Sequence, residues 1–169
     1  MDKVDIYFEM GRFFIKNEDY DMAINALNKV IELSPDFAGA YSNRGLCFYN
    51  QEMFDKAMLE INKAIELDPD EARYYSNRGL AYSYQEKHQE ALAAFDKAII
   101  LGRDDSFAYS CRAEEYAVLG KFDKAEEDFK HAKMCNFIEN IFNDNEKEIP
   151  MDDENDNSGE VVDDQGKQD

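Results

Sequence analysis

Tyr41-Ser42-Asn43-Arg44-Gly45-Leu46, YSNRGL in one-letter code, returns unchanged at Tyr75-Ser76-Asn77-Arg78-Gly79-Leu80. A worn copy, Tyr109-Ser110-Cys111-Arg112-Ala113, follows after the same interval of 34 residues. Met once, a hexapeptide with Ser, Asn and Arg reads as part of an active site. Met at a fixed interval, it reads as one unit of a repeat. Aligning the chain on that period brings other columns into line. A small residue stands at Gly11, Gly45, Gly79 and Ala113, followed by an aromatic at Phe14, Phe48, Tyr82 and Tyr116. A second small column runs Ala23, Ala57, Ala91, Ala125, then a bulky one at Leu27, Ile61, Phe95, Phe129, then Val30, Ala64, Ala98, Ala132. The units span about residues 4–37, 38–71, 72–105 and 106–139.

Within each unit, apolar residues recur at helical spacing on both sides of a short polar break. The breaks are Asn17-Glu18-Asp19, Gln51-Glu52, Gln85-Glu86-Lys87 and Gly120-Lys121. Between units, Ser34-Pro35 and Asp68-Pro69 end the preceding helix, because a proline pushes the residue before it out of the helical region. Each unit is therefore a helix–turn–helix. A glycine inside a helix costs about 1 kcal/mol against alanine, so the first small column needs a compensating role. That role is close approach: Gly45 and Ala57 face each other across the two helices, and Phe48 and Ile61 fill the space above. One such pair cannot bury its apolar face alone, so the units must stack.

The order small, aromatic, Ala, bulky, Ala, Pro over 34 residues resembles the tetratricopeptide repeat family across residues 4 to about 139. The departures are Arg103 and Phe137 in place of Pro35 and Pro69, Val30 at the third small column, and His88 where the other turns carry an aromatic. The resemblance implies an all-α, right-handed α-solenoid of four helix–turn–helix repeats. After the fourth repeat, Ile138, Ile141, Phe142 and Ile149 fit a short C-terminal capping helix over 138–149, completing a domain over 1–149. Residues 150–169, acidic and almost free of large apolar groups, read as a disordered tail.

Composition narrows the function. The formal net charge is -19, and from Asn143 to Asp169 eleven acidic residues face only Lys147 and Lys167. With no basic stripe to displace counterions, nucleic acid and anionic membrane are unsuitable partners. The cysteines Cys47, Cys111 and Cys135 are odd in number and lack metal-ligand spacing, which reads as free thiols in a reducing compartment. The N-terminal stretch has no apolar run with a cleavage site, and no 18-residue apolar stretch occurs, so a cytoplasmic location is expected.

Catalysis finds no support. Ser42, Ser76 and Ser110 would need a base, and the only histidines are His88 in a turn and His131 on an outer helix. No Gly-rich phosphate loop, zinc spacing or complete calcium loop is present, so no cofactor or metal is expected. The resemblance implies instead that the first helix of each pair lines a concave groove. Carried over residue by residue, it selects Phe8, Arg12, Asn43, Tyr49, Arg73, Asn77, Tyr84 and Cys111 as partner-binding positions, with Ser42 and Ser76 beside them. Amides there can hold an extended peptide, and the aromatics supply apolar pockets with a polar tip. Arg44, Arg78 and Arg112 read as scaffold, with Glu60 and Asp128 as partners of Arg44 and Arg112 and Glu60 as the fallback for Arg78. The clamp by which some family members grip the C-terminal carboxylate of heat-shock chaperones is incomplete. Phe8 and Arg12 stand where its first Lys and Asn belong, and Asn77 where it requires Arg.

The expectation is a monomeric, non-catalytic adaptor that takes a peptide or helix of a protein partner in its groove. A self-assembling structural module and a receptor for a C-terminal peptide are the alternatives.

Overall fold

The computed structural model describes residues 1–102 and 105–145, the last eight of these by backbone alone. Its eight helices are α1 (Lys3–Lys16), α2 (Tyr20–Leu33), α3 (Ala38–Asn50), α4 (Phe54–Leu67), α5 (Ala72–Tyr84), α6 (His88–Leu101), α7 (Ser106–Val118) and α8 (Phe122–Asn145), with no strand among the described residues.

Local chemistry explains where the helices begin and turn. Asp2 and Asp5 form a reciprocal capping box at the start of α1, while Asp19 and Asp105 accept backbone N–H groups at the starts of α2 and α7. Such caps satisfy donors that have no partner within the helix. Each turn inside a pair places one residue in the left-handed region: Glu18 at φ 60°, Glu52 at 61°, Glu86 at 59° and Gly120 at 71°. The next residue then donates its N–H back to the carbonyl of the aromatic column. Asp19 reaches Phe14 at 2.9 Å, Met53 reaches Phe48 at 2.8 Å, Lys87 reaches Tyr82 at 3.0 Å and Lys121 reaches Tyr116 at 2.8 Å. Four polar breaks thus make one and the same C-terminal cap.

Each first helix packs on its own second helix, and each second helix packs on the next first helix. The first helices also touch one another in turn, α1 with α3, α3 with α5 and α5 with α7. Among the described residues the second helices do not. Helices that touch lie on the shorter arc of a curved stack, so the first helices line its concave side. The core is a series of junction layers: Ala23, Leu27 and Val30 of α2 meet Ala40 and Cys47 of α3, and Ala57 and Ile61 of α4 meet Ala81 of α5.

The glycine column has the role its cost demands. A Cβ on Gly45 would stand 2.8 Å from Ile61, and one on Gly79 would fall within the Phe95 ring. Ala113 is tolerated in the fourth unit because its counterpart Phe129 is 40% exposed and has room to turn aside.

The end of the stack departs from the expectation of a separate capping helix over 138–149. Residues 138–145 instead continue α8 without a break. Nothing there can stop it: Pro35 and Pro69 follow the first two second helices, whereas Phe137 stands at the equivalent place, and no Gly or Pro occurs between Gly120 and Pro150. Residues 146–149, the acidic segment 150–169 and Arg103 lie outside the described residues.

Candidate protein-interaction face

The arginine column is scaffold. Arg44 on α3 grips Glu60 of α4 with Nε at 3.0 Å and Nη2 at 2.7 Å, while its Nη1 donates to Asn28 of α2 at 2.7 Å. Arg112 on α7 repeats this with Asp128 of α8 and Asp96 of α6, each at 2.7 Å. Hydrogen bonding to Asp128 and then Asp96 raises the Arg112 pKa further, so its charge is permanent. Each of these arginines ties three helices across a repeat junction. The Arg78–Glu60 pairing expected from sequence does not form, because Arg44 already occupies both oxygens of Glu60. Arg78 lies over the Tyr75 ring at 5.0 Å, and its buried Nε has no hydrogen-bond partner among the described residues. Ala94 stands where the fourth unit has Asp128.

The tyrosine that opens YSNRGL is also scaffold. The Tyr41 and Tyr75 hydroxyls each donate, at 2.9 Å, to the carbonyl of the inter-repeat proline, Pro35 and Pro69 respectively.

Of the eight groove residues read from the sequence, the structure leaves some on the surface and takes others inside. Arg12 is exposed beside Glu9 at 3.0 Å, and Arg73 is exposed with Glu71 at 3.8 Å. Asn43 is half-buried and makes no side-chain hydrogen bond among the described residues. Asn77, by contrast, is buried and donates to Ser42 Oγ at 3.0 Å, so one amide of the ladder fastens α5 to α3. Ser42 and Ser76 are fully buried too, Ser76 donating to Asp105 at 3.2 Å. The reading of these serines as ligand-facing is therefore corrected: close contact between successive first helices covers them.

Cys111 is buried as well, and burial, reinforced by Glu114 and Asp105 nearby, pushes its thiol up to about 12. Phe8 packs on Phe37 at 4.7 Å between ring centres and belongs to the α1–α3 junction. Tyr49 and Tyr84 meet edge to face at 6.2 Å, and Tyr84 stacks on Phe54 at 3.9 Å, leaving Tyr84 53% exposed at the rim between the second and third units. Of these positions, Arg12 on α1, Arg73 on α5 and Tyr84 stay exposed and Asn43 on α3 half-exposed.

A buried polar joint escaped the reading of the sequence. Glu115 of α7 is buried, with Oε2 at 2.8 Å from His88 Nδ1, and the Ser83 hydroxyl donates to its Oε1. The signal was present in the repeat alignment. Glu115 is the one charged residue in a column shared with Phe13, Cys47 and Ala81, and His88 is the one imidazole in a column shared with Tyr20, Phe54 and Phe122. Two departures in adjoining units make one contact.

The tetratricopeptide repeat pattern matches residues 38–71 and 72–105, and a second pattern of the same kind, a TPR repeat, matches 5–52. The chain is a tetratricopeptide repeat protein. Among solved structures, MamA is similar at 25% identity over 82% of this chain and 81% of that chain, with a TM-score of 0.69. The Arabidopsis OM64 TPR domain shares 25% identity over 66% of this chain and 93% of its own, with a TM-score of 0.62. PilF of Pseudomonas aeruginosa superposes with a TM-score of 0.74 over 79% of this chain and 61% of that chain, at 23% identity, a likeness of fold. No curated protein matches the chain. The tetratricopeptide stack is a protein-interaction scaffold, and no described helix is long and apolar enough to cross a membrane.

Proposed function

We propose that this repeat protein is a non-catalytic adaptor whose concave first-helix face receives an extended peptide or a helix from a protein partner. The observation that carries the reading is Asn43. It is the one amide of the repeated hexapeptide left without an internal partner among the described residues, and it lies on the middle of three successive first helices whose outer members carry exposed Arg12 and Arg73. An amide that both donates and accepts suits a peptide backbone, and the flanking guanidinium groups suit acidic side chains or carbonyls. Tyr84 on its stacked base adds an apolar anchor with a polar tip.

Binding on this face needs little ordering of the scaffold, since clips such as Arg44–Glu60 and Asn77–Ser42 already hold it. Peptides selected against the full chain from a display library test the reading. Their affinity is expected to fall about ten-fold or more on Asn43→Ala/Arg73→Ala, roughly 1.4 kcal/mol, with thermal unfolding unchanged. Equal binding by wild type and variant places the ligand elsewhere.

A further inference from the structure

Comparing equivalent positions across the units shows an open face on α1. In later units, first-helix positions equivalent to Ile6 and Phe13 are covered by the second helix before them. Ala40 and Cys47 pack with Ala23, Leu27 and Val30 of α2, Ala81 packs with Ala57 and Ile61 of α4, and Ala108 packs with Ala98 of α6. On α1, Ile6 is 45%, Met10 40% and Phe13 62% exposed. They recur at i, i+4 and i+7, which makes one stripe along the helix.

We propose that this stripe is a dimer seam, on which α1 of a second copy of the chain packs antiparallel about a two-fold axis near Met10. An ordinary stacked repeat fits poorly. Each later unit keeps a small residue at one or both of the two positions, Ala40 with Cys47, Ala81 beside Tyr74, and Ala108 beside Glu115, whereas α1 has Ile6 and Phe13. The far end of the same molecule is also a poor match. Glu126 and Lys133 of α8 replace the apolar columns Ile24, Met58, Leu92 and Ile31, Ile65, Ile99, which face the next unit elsewhere.

The charges on α1 are self-complementary. Along one flank of the stripe, Asp5 and Glu9 occupy the first half of the helix, and Arg12 and Lys16 the second. Antiparallel pairing sets Ile6 of one copy against Phe13 of the other and brings each acidic half beside a basic half. Asp2, Asp5 and Glu9 balance Lys3, Arg12 and Lys16, so this helix is neutral in a chain of net charge -19. It is therefore a face on which two such chains meet with little repulsion. The seam is isologous and closes at two copies. Resting on a single helix pair, it is a small interface and dissociates on dilution.

Sedimentation of the full chain over a concentration series tests this. The mass is expected to rise from 19.6 kDa toward twice that value, and Phe13→Glu is expected to stay monomeric with its circular dichroism melt unchanged. Met10→Cys is expected to give a reducible covalent dimer on mild oxidation, while the wild type, whose cysteines are buried, gives none. Arg12→Glu is expected to weaken the dimer at least ten-fold, and Glu9→Arg/Arg12→Glu to restore it. Asn43→Ala/Arg73→Ala is expected to dimerise like wild type, which separates this seam from the groove. A monomer at every concentration overturns the proposal. So does a ladder of masses beyond two copies, or a dimer that survives Phe13→Glu and does not cross-link through Met10→Cys.

Discussion

Gly79 and Phe95 meet more closely than any side chain at position 79 would allow, since an added methyl would enter the buried ring. Gly79→Ala is expected to lower stability by about 1–3 kcal/mol, read as a fall in the urea midpoint, as overpacking of a filled core does. The three glutamates at positive φ give the opposite effect. Glu52→Gly relieves a left-handed cost of about 1–2 kcal/mol, offset in part by the looser unfolded chain. A net gain of roughly 0.5–1 kcal/mol is expected in chemical denaturation. Sequence already marked Glu18, Glu52 and Glu86 as breaks, but their strained φ comes from the backbone turning back onto the aromatic column. Arg78 is the third case. Ala94→Asp would place a carboxylate opposite Arg78 as Asp128 stands opposite Arg112, and a gain of about 1 kcal/mol is expected in thermal melts, the size of a typical net hydrogen bond.

At the scale of the helix pair, polar residues that resemble ligand contacts hold neighbouring helices together. Asn77→Ala removes the donor to buried Ser42 and is expected to cost about 1–3 kcal/mol of stability. Any loss of partner binding in that variant would be confounded with loosening of α3 from α5, so Asn43 and Arg73 are the informative positions. Asn43 and Asn77 occupy equivalent places in identical hexapeptides, yet one is half-exposed and the other buried. Their difference lies in their neighbours, because Ser42 is presented to Asn77 while Phe8, which offers no hydrogen-bond acceptor, is the counterpart in front of Asn43. No hexapeptide pattern can carry that information. The Ser83–Glu115–His88 joint belongs to the same scale: it links the turn of the third pair to the first helix of the fourth.

For the molecule as a whole, burial pushes the Cys47 and Cys111 thiols up to about 12 from the ordinary 9.0. The unfolded chain then releases these protons first, so stability they contribute is complete below about pH 9 and declines as pH rises toward 12. Native-state alkylation is expected to be slow at neutral pH and fast once urea unfolds the stack. The acidic run from Asn143 onward supplies a long-range field, and removing residues 150–169 is expected to slow association with basic partners at low salt and leave it unchanged at high salt. The period of 34, the close approach of the helices at the glycine column, the turns, and Glu60 and Asp128 as partners of Arg44 and Arg112 were legible in the sequence, whereas Asn28 and Asp96 were not. Each depends on contacts within a pair or between adjacent pairs, and these repeat with the chain. What only the tertiary structure decided is which copies of a repeated residue remain on the surface, that the last helix runs on past Phe137, and that α1 presents an apolar stripe. Those outcomes depend on neighbours that differ from one unit to the next and on the ends of the stack, where periodicity no longer specifies what covers a face.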